Sequence, residues 1–186
     1  MNNTFIISDW HFNHFNCLSF KCADGTPVRD FSSVDEMNET MIERHNAVVK
    51  PQDKVYFLGD AYFHATKKSG PLADISTLLK RLNGTLILIP GNHDDVWDPV
   101  LMQRFSKAYQ WRMMPELGIL LSHEPLHQSN MRRGPDNNIS YLANIHGHIH
   151  QNDSPIDEKV KYINVCVEKT NYTPLHMDEV LKLAKA

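Results

Sequence analysis

Five times along this chain a short apolar, strand-like run ends in side chains that metals favour. Thr4-Phe5-Ile6-Ile7-Ser8 leads into Asp9 and His11, and Val55-Tyr56-Phe57-Leu58-Gly59 leads into Asp60. Leu86-Ile87-Leu88-Ile89-Pro90-Gly91 leads into Asn92, His93 and Asp94, and Ile119-Leu120-Leu121-Ser122 into His123. Asn144-Ile145-His146-Gly147 leads into His148 and His150. Loops at strand ends are where a rigid sheet presents reactive groups. A fold that collects such loops along one edge would bring Asp9, His11, Asp60, Asn92, His123, His148 and His150 into a polynuclear metal site.

The residue types fit that chemistry. Asp9 and His11, like His148 and His150, are two residues apart, so on extended backbone each pair points the same way toward one ion. Asp60 has two oxygens that can bridge two cations, and Asn92 offers the neutral carbonyl oxygen that hard divalent ions accept. A mixed oxygen and nitrogen shell suits Mn²⁺, Fe, Zn²⁺ or Ni²⁺ better than Ca²⁺ or a thiolate cluster.

At 186 residues the chain is long enough for one domain with a proper core, and residues 1–186 read as a single domain. The net charge of −3, from 19 basic and 22 acidic residues, gives no global pull toward nucleic acid. The three cysteines, Cys17, Cys22 and Cys166, lack the spacing of a zinc knuckle or redox pair and read as free thiols in a reducing compartment. The chain opens directly on a strand-like run, and no window approaches the ~18 apolar residues of a membrane span. A cytoplasmic protein is expected.

Between the motifs, Ser33-Val34-Asp35-Glu36 has the form of a capping box opening a helix that carries Met37, Met41 and Val48 and stops at Lys50-Pro51. A second helix is predicted from Pro71 to Asn83-Gly84, and a third from Asp98-Pro99 to about Ala108. Late strands are predicted at Tyr162–Val167 and around Tyr172–Leu175. Strands alternating with helices in the first hundred residues, then strands on short connections, predict an α/β (α+β) fold with a mixed sheet or two stacked sheets. Segments 12–30, 61–70 and 124–140 read as neither element and flank the motifs, so they are expected to wall the pocket.

Asp-x-His, Gly-Asp, Gly-Asn-His-Asp, a lone His123 and Gly-His-x-His, in this order from Asp9 to His150, resemble the calcineurin-like metallophosphoesterase superfamily. Ser8-Asp9-Trp10-His11-Phe12-Asn13-His14 and His123-Glu124-Pro125-Leu126-His127 are similar to a small phage and bacterial-type subgroup. The resemblance implies a four-layer sandwich of two mixed β-sheets flanked by helices, with the metal site on loops at strand C-termini. It implies that Asp9, His11 and His150 hold one ion, that Asn92, His123 and His148 hold a second, and that Asp60 bridges them. Of the divalent metals, Mn²⁺ is the first choice. A water or hydroxide between the ions would attack phosphorus in line. His93 would face the substrate to stabilise charge or protonate the leaving oxygen, and Asp94 would orient it. Gly59-Asp60 runs into Ala61-Tyr62-Phe63-His64 rather than the longer Asp- and Arg-bearing stretch of protein phosphatases, which argues against that activity.

Other residues carry competing readings. For Asp94, a purely structural helix-cap role is a serious rival to orienting His93. His14, Arg132 and Arg133 join Asn92 and His93 as substrate-binding candidates, against packing for His14 and a solvated pair for the arginines. Lys67-Lys68 is a weaker basic pair. Trp10, Phe12, Phe15 and Tyr62 could stack on a base but read better as core, as do Met113-Met114. His127 and His146 read as structural, and His45, His64 and His176 receive no role.

The expectation is a dinuclear metal-dependent phosphoesterase cleaving phosphodiesters in a nucleotide or similar small molecule. The runner-up is a phosphomonoesterase. A nuclease on single strands or ends would need one basic groove from Arg132, Arg133 and Lys67, and extended nucleic acid is otherwise disfavoured. A non-catalytic binding scaffold should show damaged ligand positions, and none is damaged. Oligomeric state is not legible, and a phage-encoded form would work in the host cytoplasm.

Overall fold

The computed structural model describes residues 2–63, 73–133, 138–139 and 141–186, and for 132–133 and 138–139 it describes the backbone alone. In chain order the elements are β1 (Thr4–Ile7), α1 (Val34–Val48), β2 (Lys54–Phe57), α2 (Ile75–Lys80), β3 (Thr85–Leu88), α3 (Pro99–Arg104), β4 (Phe105–Ala108) and β5 (Arg112–Met114). They continue as β6 (Ile119–Leu121), β7 (Arg132–Arg133), β8 (Asn138–Ile139), β9 (Ala143–His146), β10 (Lys161–Asn164), β11 (Leu175–His176) and α4 (Met177–Lys185). One sheet has the order β11-β1-β2-β3-β4, parallel except for β11, and the other has the order β10-β9-β6-β5, parallel except for β5. The fold is thus two mixed sheets flanked by helices, as the resemblance implies.

Why the early strands read as unbroken apolar runs is visible in their two faces, since a strand buried on both sides needs no polar alternation. Phe5, Ile7, Val55, Phe57, Leu86 and Leu88 pack against the helical layer, where Met37, Met41, Leu78, Leu79 and Leu101 wait. Ile6, Tyr56, Leu58, Ile87 and Ile89 face the second sheet's Ile119, Leu121, Ala143, Ile145 and Ile163. Both layers are buried, so the sheets hold their register and the loops leaving their C-terminal ends start from fixed points.

Helix α1 opens as expected, with Ser33 Oγ accepting from Glu36 N–H, a cap stabilising by about 1 kcal/mol. The Glu36 carboxylate reaches one residue further back than a capping box requires, to Ser32 N–H at 2.7 Å and Ser32 Oγ at 2.6 Å. Helix α2 begins at Ile75 with Asp74 as its cap and ends at Lys80; Pro71 and Leu72, its expected start, lie outside the described residues. The third helix stops at Arg104, short of the expected Ala108, because Phe105–Ala108 pairs with β3 as β4. Phe105 there packs on Phe57 at 5.8 Å, burying an aromatic that a longer helix would turn elsewhere.

Near the C-terminus, the strand expected around Tyr172–Leu175 is only β11 at Leu175–His176, since Asn171 and Tyr172 take positive φ and break extended backbone. Helix α4 was not expected; His176, a rare cap, starts it with Glu179 closing the box. Segment 124–140, expected to lack elements, contains a 3₁₀ turn at Gln128–Met131 and the β7–β8 pair. Trp10, Phe12 and Tyr62 are core residues, but Phe15 is half exposed, and of the two methionines only Met114 is buried. All three cysteines are free. Among the described residues no helix is long and apolar enough to cross a membrane.

Candidate metal centre

The loops after β1, β2, β3, β6 and β9 converge, and hydrogen bonds continue strand pairing into them. Asp9 N–H donates to Gly59 C=O at 2.9 Å and His11 N–H to Asp60 C=O at 3.0 Å. The backbone itself is held in an uncommon state: Asp9, His11, Asp60, His148 and His150 all have φ between 49° and 70°. Non-glycine residues reach this region at a cost of roughly 1–3 kcal/mol each, and such residues cluster where function needs a fixed geometry. The glycines of the motifs are there for space. A Cβ on Gly91 would lie 2.2 Å from Asp60 Oδ1, and one on Gly147 would lie 2.0 Å from Ser8 Oγ and 2.4 Å from Asp9 Oδ2.

Two groups of donor atoms result. Asp9, His11 and His150 each offer one atom within 4.8 Å of the others, and so do Asp60, His123 and His148. Asp60 Oδ2 links the groups, 3.5 Å from His11 Nε2 and 3.5 Å from His123 Nε2. These separations are too long for hydrogen bonds. They match the spacing of ligands that share an ion, each about 2.0–2.2 Å from it.

The protonation pattern leaves lone pairs facing one another. His123 Nδ1 lies 2.6 Å from Leu58 C=O and must carry the proton, so Nε2 presents a lone pair. That nitrogen meets Asn92 Oδ1 and His148 Nδ1, both at 3.1 Å. In the first group, Asp9 Oδ2 is satisfied by Ser8 Oγ at 2.5 Å, His148 N–H at 3.0 Å and Cys166 Sγ at 3.1 Å. Its partner oxygen Oδ1 and both ring nitrogens of His11 are buried with no hydrogen-bond partner among the described residues. Buried acceptors without donors are costly. A divalent cation in the first group would take up Asp9 Oδ1 and the unprotonated nitrogen of His11, and one in the second group the lone pair of His123. The residues present therefore fit a pair of such ions.

The charges agree. Burial opposes ionisation of Asp9, yet the facing imidazoles of His11, His123 and His150 hold its carboxyl well below the usual carboxylate range. Burial pulls His11 below its ordinary value, toward the neutral form that ligates a metal, although Asp9 and Asp60 oppose this. His150 is also disfavoured by burial, but the Glu168 hydrogen bond and charge raise it overall.

Residues the sequence did not single out support this shell. Arg29, 1% exposed, donates to Asp9 C=O at 2.7 Å and Trp10 C=O at 2.8 Å, gripping the first loop from below. It pairs with Glu168 at 2.8 Å, and Glu168 Oε1 in turn accepts from His150 Nδ1 at 3.0 Å. Arg29 sits in a segment without periodicity, and Glu168 follows the strand predicted at Tyr162–Val167 as an isolated acid. Only the three-dimensional contact joins them.

The remaining candidates fall out as follows. His93 is exposed at the mouth, its backbone N–H on Asp60 Oδ1 at 2.9 Å and its ring 5.6 Å from that of His11. Asp94 does not follow the expected route through the His93 ring. Its carboxylate accepts from the backbone N–H groups of Asp60 and Ala61, both at 2.8 Å, and Gly91 at 2.9 Å, stapling two loops together; it caps no helix, since Asp98 caps α3. The three backbone donors outcompete a single imidazole because they lie on two converging loops. Burial raises Asp94 above its ordinary value despite them. His14 stacks on Phe63 at 3.8 Å beside His11, its Nδ1 2.9 Å from Cys17 Sγ, and burial pulls it down to about 4. Arg132 and Arg133 form β7, but their side chains, like all of His64, Lys67 and Lys68, lie outside what the structure describes. His146 is fully buried against Gly147 C=O and Ser154 Oγ, in keeping with a structural role, and His127 bonds Ser129 at the surface.

Among the described residues, two clefts adjoin the centre. One of about 220 Å³ is lined by His150 and Glu168 together with Phe20, Lys21 and Asn152. The other, about 320 Å³, is lined by Asn92 and His123 with Gln110, Trp111, Glu124 and Leu126.

Comparison with known proteins agrees with this geometry. The chain is 35% identical over 192 residues to the uncharacterized protein MJ1445 of Methanocaldococcus jannaschii, covering 98% of this chain and 92% of that protein. Its fold is similar to the crystal structure of AQ665, a protein of unknown function from Aquifex aeolicus, with a TM-score of 0.71 and 28% identity, over 98% of this chain and 100% of that one. The family profile of calcineurin-like phosphoesterases matches residues 3–118, which span the first three of the five loops. The chain therefore belongs to the calcineurin-like phosphoesterase family and is a metal-dependent hydrolase of phosphate esters.

Proposed function

We propose that this enzyme hydrolyses phosphodiester bonds in a nucleotide or similar small molecule at a dinuclear centre. The observation that carries the diester reading is the pair of clefts, one beside His150 and one beside Asn92 and His123. A phosphodiester has two substituents to accommodate, and a monoester has one. The net charge of −3 does not favour a long polyanion over a small molecule.

In this reading Asp9, His11 and His150 would hold one ion and Asn92, His123 and His148 the other, with Asp60 available to both. Bound there, two divalent cations supply an activated water near neutral pH and neutralise charge building on the phosphoryl oxygens. The protein's own part is positional. Asp60 Oδ1, held by His93 N–H, keeps Oδ2 aimed between the groups. Leu58 C=O and Glu168 fix which nitrogen His123 and His150 turn inward. His93, exposed above the centre, meets the phosphoryl group and passes a proton to the leaving oxygen. Asp94 acts through backbone, holding the Asp60 and Gly91 loops at their observed distance. Mn²⁺ is the metal to supply first, since a carboxylate, amide and imidazole shell accepts it readily.

The test compares bis-p-nitrophenyl phosphate with p-nitrophenyl phosphate in added Mn²⁺, using His93→Ala and Asp60→Asn as controls. Diester turnover exceeding monoester turnover, and lost in both variants, is the expected result. A preference for the monoester would replace this reading with a phosphomonoesterase.

A further inference from the structure

We infer that Trp111 is the stacking wall of a nucleobase subsite in the cleft beside Asn92 and His123. This rests on the phosphodiesterase reading for the position of the phosphate. Trp111 leaves 46% of its surface exposed, whereas Trp10, the aromatic nearest the ligands in sequence, is fully buried. An indole left half open loses burial energy unless something covers it. It stands between β4 and β5 and lines the same cleft as His123, a residue of the second donor group, and Asn92, whose Oδ1 meets His123 Nε2.

The cleft has the size and chemistry for a planar heterocycle. Its volume of about 320 Å³ falls within the ~300–1,000 Å³ of small-molecule sites. Gln110, which precedes Trp111 in the chain, offers both an amide donor and acceptor, and Glu124, in the loop after β6, offers a carboxylate acceptor. A base edge carries this mixture of donors and acceptors, and its face matches the indole. A simple alkyl substituent would use neither. The carboxylate of Glu124 also disfavours a second phosphate in this cleft, so the polyanionic part of a ligand is directed to the metals and the base to Trp111.

Isothermal titration of the Mn²⁺-loaded protein with adenosine 5′-monophosphate and with ribose 5-phosphate isolates the base, because the two ligands differ only there. The wild type should bind the nucleotide more tightly by a factor between about 5 and 150, the range of base–aromatic stacking. Trp111→Phe should keep most of that advantage and Trp111→Ala should lose it, with ribose 5-phosphate affinity unchanged in both. Trp97→Ala, which removes an indole 88% exposed and outside the cleft lining, should change neither ligand. Equal affinity for the two ligands, an advantage that survives Trp111→Ala, or one lost in Trp97→Ala would overturn the inference. A base-dependent advantage alongside absent diester turnover would leave the subsite standing and remove the diesterase reading alone.

Discussion

Glu168 Oε1 accepts from His150 Nδ1 at 3.0 Å while also bonding the buried guanidinium of Arg29. One carboxylate therefore fixes the tautomer of a candidate ligand and neutralises a cation that has no access to water. Glu168→Gln keeps the acceptor and removes the charge. Metal affinity at the Asp9–His11–His150 group should fall by about 10–100-fold. Stability should fall as well, because an unpaired buried charge costs about 3–5 kcal/mol. Metal titration and denaturant unfolding separate the two effects. A lower stability with unaltered metal affinity would reduce Glu168 to the counter-ion of Arg29.

Asp60 makes a second prediction. Its Oδ2 stands equally far, 3.5 Å, from a nitrogen of each metal group, so one carboxylate oxygen is placed to serve both. Asp60→Asn keeps the shape and the His93 N–H contact but removes the shared charge. Both ions should be lost or weakened together, and turnover should fall by roughly 10³-fold, since metal charge stabilisation is worth several kcal/mol. Metal content by mass spectrometry checks this. Retention of two tightly bound ions would show that the groups are held independently.

Gly147 is a purely steric case. A methyl group there would sit 2.0 Å from Ser8 Oγ and 2.4 Å from Asp9 Oδ2, against groups whose hydrogen bonds fix the first loop. Gly147→Ala should cost about 1–3 kcal/mol of stability and weaken metal binding at Asp9. Gly25→Ala, at φ +86° with nothing within 4 Å, should cost only about 1 kcal/mol of backbone strain and leave metal affinity unchanged. Equal effects on metal affinity would remove the steric explanation.

The loops that carry the centre were legible because strand periodicity and ligand chemistry are both local. Apolar runs announce where Asp9, Asp60, Asn92, His123 and His148 leave a sheet, and glycines mark where those loops crowd. What was not legible depends on long-range contact. Arg29 and Glu168 are 139 residues apart and touch only once both sheets are formed. Asp94 follows His93 in the chain, which invites a pairing between them, yet its carboxylate turns to loop backbone instead. The end of α3 went astray because Phe105 suits a helix face by spacing and a sheet edge by packing, and packing against Phe57 wins. Trp111 carries no local signal, because nothing in a lone indole distinguishes a core residue from one that lines a cleft.

Away from the metal site, His45 gives the fold a pH dependence of its own. It is fully buried on α1, with Nε2–H donating to Asn83 C=O at 2.9 Å and its ring against the edge of Trp10. Burial pulls it down to about 4, with the Arg104 charge adding to the effect. The unfolded chain, titrating near 6.5, therefore binds a proton that the folded one refuses. The stability owed to a neutral His45 is fully present above pH 6.5 and is lost as pH falls from there toward 4, on the order of 3 kcal/mol over the whole window. Unfolding of metal-free wild type and His45→Gln should then converge as pH drops from 7 to 4.5, because groups common to both cancel in the difference. A stability difference that stays constant across that range would mean that His45 titrates normally in the fold.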